Sequence, residues 1–250
     1  MIKSEWPVLN LPPVILAIFQ LKFMSSDDRE LNKMIANDKN IKIVFPNRSD
    51  NYHSDIDVHG TPAPGISTLS AKADTKISSF SYFTHDKKRK LIIEKDSVIY
   101  INESTYEGWD SFKTIVMQSI SLLGEQLGDR NVERTSIRFV NKFSLNSFED
   151  PLEYFTKMIS TESDIIYPLE KYAFRINIQV PETTIRAIIN NALETNGQEK
   201  FDYYLDIDVL DDKQLKFDLS STSEQLEQIR EVKNKIFFDA VKPKTLALCN

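Results

Sequence analysis

The stretch Tyr172-Ala173-Phe174-Arg175-Ile176-Asn177-Ile178-Gln179-Val180 keeps large apolar side chains at every second residue, with Ala173, Arg175, Asn177 and Gln179 between them. A second stretch, Phe201-Asp202-Tyr203-Tyr204-Leu205-Asp206-Ile207-Asp208-Val209, keeps the apolar half of that pattern at every second residue. Side chains two apart project from the same face of a strand, so each stretch reads as a strand with one buried and one open face. Thr183 to Ile189, between them, reads as the middle strand of a meander.

Working outward, the apolar sides need covers, and two amphipathic helices supply them. Trp109, Phe112, Val116, Ile120, Leu123 and Leu127 recur at helical steps, as do Leu226, Ile229, Val232, Ile236, Phe237 and Ala240. The first helix is expected over 106–127, stopping at Gly128. The second is expected over 222–241, with Ser221 and Glu224 at capping-box spacing and Pro243 ending it.

The N-terminal portion follows a similar plan. Val14 to Phe23 is apolar on both faces and reads as a central strand. A helix is expected over Asp27 to Asn37 and a short strand over Ile41 to Phe45, ended by Pro46. The Asp-, Ser-, Gly- and Pro-containing stretch 47–70 reads as a long loop. Ile77 to Thr84, Leu91 to Glu94 and Val98 to Ile101 form a meander, and a strand over Thr135 to Leu145 precedes a short helix from Pro151 to Ile159. The fold class expected is α+β: an antiparallel sheet in two architecturally related βββα halves, 1–150 and 151–250, each covered on one face by a long helix.

Composition narrows the function classes. With 37 acidic against 31 basic residues the net charge is −6, so no field draws nucleic acid to the whole surface. The lone cysteine, Cys249, excludes an intrachain disulfide, and no secretory leader or membrane span is expected, which points to the cytoplasm. No Gly-rich phosphate loop or nucleophile elbow occurs, and no cofactor is expected.

Certain residues carry a resemblance. Leu11-Pro12-Pro13-Val14 before the first strand, Tyr106-Glu107-Gly108-Trp109-Asp110-Ser111-Phe112 leading into the helix, Ser136-Ile137-Arg138-Phe139-Val140-Asn141-Lys142, and Phe237 together resemble a sporadically distributed, uncharacterised bacterial family of about this length. Arg230 stands where members of that family often carry histidine. The resemblance implies no activity, cofactor or catalytic residue; its patchy occurrence is associated with mobile elements and defence systems.

Three groups of residues invite chemistry. His53, Asp55, Asp57 and His59 alternate as metal-ligand types. In an extended strand, however, neighbours of this kind lie roughly 6.8 Å apart and the outer pair roughly 20 Å, too far to converge on one ion at about 2 Å. Lys87, Lys88, Arg89 and Lys90 form a basic tip that suits phosphate contact, with Tyr82 or Phe83 for stacking, or plain solvation. Asp202, Asp206 and Asp208 suggest a two-metal nuclease or, more simply, cross-strand partners for Arg175 and Arg186. Alternation sets Asn141 on the buried side and Arg138 opposite, unless a bulge unites them.

The function expected is a non-enzymatic binding or regulatory protein, an accessory or sensor component of a bacterial defence or mobile-element system. It would recognise a protein partner through the polar sheet face with Arg138, Asn141, Arg175, Asn177, Arg186, Asp206 and Asp208. A homodimer through an edge strand is compatible with this. The alternatives are a metal-dependent hydrolase centred on His53 to His59 and a nucleic-acid-binding protein using Lys87 to Lys90.

Overall fold

The computed structural model describes residues 6–25, 31–35, 38–63, 66–146, 151–156, 171–195 and 200–250, leaving aside the side chains at 32, 57–63, 66–72 and 125. In chain order the elements are β1 (Val14–Phe23), α1 (Asp38–Val44), β2 (Asn47–Ala63), β3 (Ile66–Phe83), β4 (Arg89–Glu94), β5 (Ser97–Asn102), α2 (Trp109–Ser121) and α3 (Gly124–Leu127). There follow β6 (Asn131–Asn146), β7 (Lys171–Gln179), β8 (Ile185–Thr195), β9 (Lys200–Asp211), β10 (Leu215–Lys216), α4 (Leu219–Ala240) and α5 (Pro243–Ala247), with short 3-10 turns at Leu31–Ile35 and Pro151–Glu153.

All ten strands belong to one antiparallel sheet ordered β2-β3-β4-β5-β1-β6-β9-β8-β7, with β10 added beside β6. Outward from the central pair the order runs in the same sense, β1-β5-β4-β3 on one side and β6-β9-β8-β7 on the other, with β2 as a further edge strand beyond β3. In each half a first strand (β1 or β6) is rejoined by the last strand of the following meander (β5 or β9), and a long helix (α2 or α4) then crosses the sheet. The α+β architecture is therefore present; five strands (β1–β5) precede α2, and four (β6–β9) with the short β10 precede α4, against the expected three in each half, and β6, which opens the second set, lies inside the expected first half 1–150.

The strand period decides which side is covered. Phe19, Leu21 and Phe23 of β1, Ile137, Phe139 and Phe143 of β6, and Tyr203, Leu205, Ile207 and Val209 of β9 are all buried on the helix side. Phe139 meets Phe112 of α2 edge-on with centroids 5.3 Å apart, and Phe155 stacks on Tyr203 at 3.7 Å. Burying each such ring contributes about 2–3 kcal/mol. β1 is central, between β5 and β6, but its second face carries the half-buried Leu16 and Ile18, where both faces were expected to be buried.

Several boundaries differ from the sequence expectations. The predicted loop 47–70 is the long β2–β3 hairpin; residues 51–56 and 73–76 are exposed on both faces, so no apolar alternation marks them as strand. The predicted strand 41–45 is α1: Ile41 is 0 % exposed and Ile43 80 %, a difference that equal strand parity forbids, and the Asp38–Lys42 pair spans one helical turn at 2.6 Å. Of the predicted helix 27–37, residues 31–35 form a 3-10 turn; of the predicted helix 151–159, residues 151–153 do, and the rest of each lies partly outside the described residues.

The predicted helix 106–127 starts at Trp109 and breaks at 122–123, resuming as α3. Ser119 and Ser121 donate to the carbonyls of Ile115 and Gln118 at 2.7 and 2.8 Å, offering the backbone competing partners near that end. Gly108 precedes α2 at φ 102°, a left-handed conformation that a Cβ would strain even though the space around it is open. At the start of α4, Asp218 caps in place of the expected Ser221, accepting from the Ser221 amide at 2.8 Å, since a carboxylate suits the positive helix end better than a hydroxyl.

Candidate functional site

All described helices lie on one side of the sheet, so its other face is open among the described residues. That face carries Arg138, Arg175, Asn177, Arg186, Asp206 and Asp208, six of the seven residues expected there. Asn141 does not join them. No bulge interrupts β6 between it and Arg138, so it stays on the helix side, 2 % exposed, with its Nδ2 donating to the Leu205 carbonyl at 2.9 Å.

The charges on the open face are mutually satisfied. Arg138 donates through Nε and Nη2 to both carboxylate oxygens of Asp206 at 2.8 and 2.7 Å, and Asn190 adds a third bond at 2.9 Å. The partner is Arg138, not Arg175 or Arg186, because Arg138 sits opposite Asp208 and reaches Asp206 along the diagonal. Lys142 and Ser144 hold Asp202 at 3.0 and 2.6 Å, Arg186 donates through Nε to Asp212 at 2.8 Å, and Arg175 donates to Asn177 at 3.3 Å. Carboxylates engaged in this way form cross-strand pairs and not a metal cradle. Asp208 is the exception. Burial, opposed by Arg138 and aided by Asp206, raises its carboxyl above the usual carboxylate range.

The N-terminal half of this face departs from the hydrophilic expectation. Ile92, Ile99, Ile101, Ile18, Leu16 and Val140 run across β4, β5, β1 and β6 as neighbouring half-buried side chains. The open face thus combines an apolar strip with a lattice of paired charges.

The two alternatives gain little. His53 and Asp55 project from the extended hairpin, 3.1 Å apart, with Lys76 also near Asp55, while the side chains of Asp57 and His59 lie outside the described ones. Among the described residues no three metal-ligand types converge. In the basic tip, Lys90 pairs with Glu103 at 3.1 Å, Lys87 lies 6.0 Å from the Phe83 ring centroid, and Arg89 turns inward toward Tyr100 by strand parity. Arg89 and Lys90 thus project to opposite faces of the sheet.

A second site was not read from the sequence. Segment 6–14, the lead into α2, β6 and the C-terminal part of α4 line a half-open cavity of about 170 Å³. Trp6 stacks on Phe238 with centroids 5.2 Å apart and donates to Glu231 at 2.9 Å. Trp109 donates to Glu227 at 3.0 Å, and the Arg230 guanidinium lies 5.1 Å from the Trp109 ring centroid while donating to Glu227 at 3.2 Å. Arg230 Nε is buried without a hydrogen-bond partner among the described residues.

Lys233 reaches into this space with its Nζ 4.6 Å from the Phe139 ring centroid. By surface it is half-buried, because it faces the cavity, yet protein surrounds its ammonium; burial, then the nearby Arg230, pulls its pKa down to about 7. Asn234, 7 % exposed, lines the same space, as does the edge of Asn141. Neither the Lys233 ammonium nor the Asn234 amide has a hydrogen-bond or ion-pair partner among the described residues. The sequence did hold a signal: Lys233 falls four residues after Ile229 and four before Phe237, a lysine set into the apolar stripe of α4. The quoted residues Pro12, Pro13, Tyr106, Gly108, Asn141 and Phe237 also meet here.

Comparison of the chain with family models, curated proteins and solved structures finds no match, so the resemblance described above is carried by its quoted residues alone.

Proposed function

We propose that the chain is a non-enzymatic binding or regulatory protein that docks a protein partner on the open face of its sheet. The observation that carries this reading is the apolar strip from Ile92 to Val140, which no described helix covers. Contiguous apolar surface of this kind gains by being removed from water, about 0.5–1 kcal/mol for each half-buried aliphatic side chain. The paired charges around Asp206 and Asp202 supply the polar rim that such interfaces have. A cytoplasmic accessory or sensor role in a bacterial defence or mobile-element system belongs to the same proposal and rests on the family resemblance.

The test is purification from the native cell of the tagged chain and of an Ile99→Lys, Ile101→Lys variant that retains the wild-type circular dichroism spectrum. A protein recovered in stoichiometric amount with the wild type and lost with the variant supports the reading. Recovery of the wild type alone, or of the same partner with both, overturns it. A dimer in sedimentation that the variant abolishes assigns the face to a second copy instead.

A further inference from the structure

We propose that the cavity beneath Trp6 and Trp109 is a binding site for a small organic monoanion with a flat apolar body, of the size of a one-ring aromatic carboxylate. The site is independent of the open sheet face, being on the other side of the sheet.

Size sets the upper bound. A cavity of about 170 Å³ is below the range of drug-sized ligands and close to one that accepts a single benzene ring. The walls set the body of the ligand: Tyr106, Trp109, Phe237 and the prolines at 12 and 13 present ring faces and aliphatic surface. The polar groups set its charge. Lys233 and the Asn234 amide, the latter 7 % exposed, line the cavity with no hydrogen-bond or ion-pair partner among the described residues, and the Arg230 guanidinium over Trp109 adds a second positive charge beside them. A donor held in such a site without an acceptor is costly, and a carboxylate supplies what Lys233 and Asn234 lack.

The surrounding acids do not already fill this role. Glu227 is engaged by Trp109, Lys113 and Arg230, and Glu231 by Trp6. β6 presents Phe139 and Asn141, and segment 6–14 contains no titratable side chain. Tyr106 is kept neutral by burial, which raises its hydroxyl well above the usual range. The charge facing a ligand is therefore set by Lys233 and Arg230. Because the ammonium of Lys233 is lost first as pH rises, an anion binds most tightly on the acid side of neutrality.

The chain holds two tryptophans, and both line this cavity, so intrinsic fluorescence reports on the site directly. The experiment titrates the 250-residue chain with benzoate, with benzamide as the neutral isostere and with inorganic phosphate as an anion lacking the apolar body. Saturable binding of benzoate is expected, weakening from mildly acid to alkaline pH, with benzamide and phosphate each at least about tenfold weaker, as befits loss of a charge-assisted bond or of the ring contact. Lys233→Met should weaken benzoate by at least about tenfold and remove the pH dependence. No saturable change with benzoate, equal binding of benzamide or phosphate, or an unaffected Lys233→Met protein would each overturn the proposal. Should that variant not fold, as judged by circular dichroism, the three-ligand comparison on the wild type still decides.

Discussion

Replacing Glu227 by glutamine probes how α2 and α4 are held together. The Glu227 carboxylate accepts from Trp109 Nε1 at 3.0 Å and Lys113 Nζ at 2.7 Å on α2, and from Arg230 on its own helix at 3.2 Å. Burial alone would raise its pKa; the three donors outweigh that and hold it at about 2, below the ordinary 4.5. Fully realised, such a drop is worth about 3.4 kcal/mol. The side chain is 30 % exposed, and solvent screening reduces the figure to about 1–2 kcal/mol. Since the folded pKa lies below the unfolded one, this stability is complete above about pH 4.5 and is lost as pH falls toward about 2. Urea unfolding of both proteins should therefore show Glu227→Gln less stable by about 1–2 kcal/mol near neutral pH, with more than half of the gap gone at about pH 3. An equal gap at both pH values, or none at neutral pH, would refute the account of the carboxylate as an ionised clamp.

Other consequences follow from the same kind of reasoning. Arg138→Ala leaves Asp206, whose side chain is only 10 % exposed, with Asn190 as its remaining partner and should cost about 1–2 kcal/mol, whereas Lys171→Ala, which removes an exposed pair with Glu194, should stay within about 0.5 kcal/mol. Tyr82→Phe keeps a fully buried ring and deletes the 2.7 Å bond to Asp38; chemical denaturation should report a loss of about 1–2 kcal/mol.

Legibility in the sequence followed one-sided burial. β7 and β9 were readable because their inward side chains, Asp211 at the end of β9 excepted, are apolar and their outward ones mostly polar, and α2 and α4 because their stripes face the sheet. The β2–β3 hairpin was not, since a ribbon that meets water on both faces needs no alternation; its register is held by the backbone ladder with polar contacts such as Asn51 to Ser79 at 2.8 Å. α1 failed for the opposite reason, an apolar run too short to distinguish the helical from the strand period. The open face was placed correctly for Arg138, Arg175, Asn177, Arg186, Asp206 and Asp208, but its pairing depended on register, which no single strand encodes. The cavity depended on segments far apart in the chain, and only the lysine in the α4 stripe hinted at it.

The mirrored strand order bears on how the molecule comes together. Tyr106 and Trp109 stand before the β1–β6 seam in the chain, and Asn141, Arg230 and Lys233 after it, so neither half possesses the chamber by itself. An occupant there acts as a keystone: its affinity is paid only to the assembled arch, and mass action makes it a fastener between the two repeats as well as a guest of the finished fold.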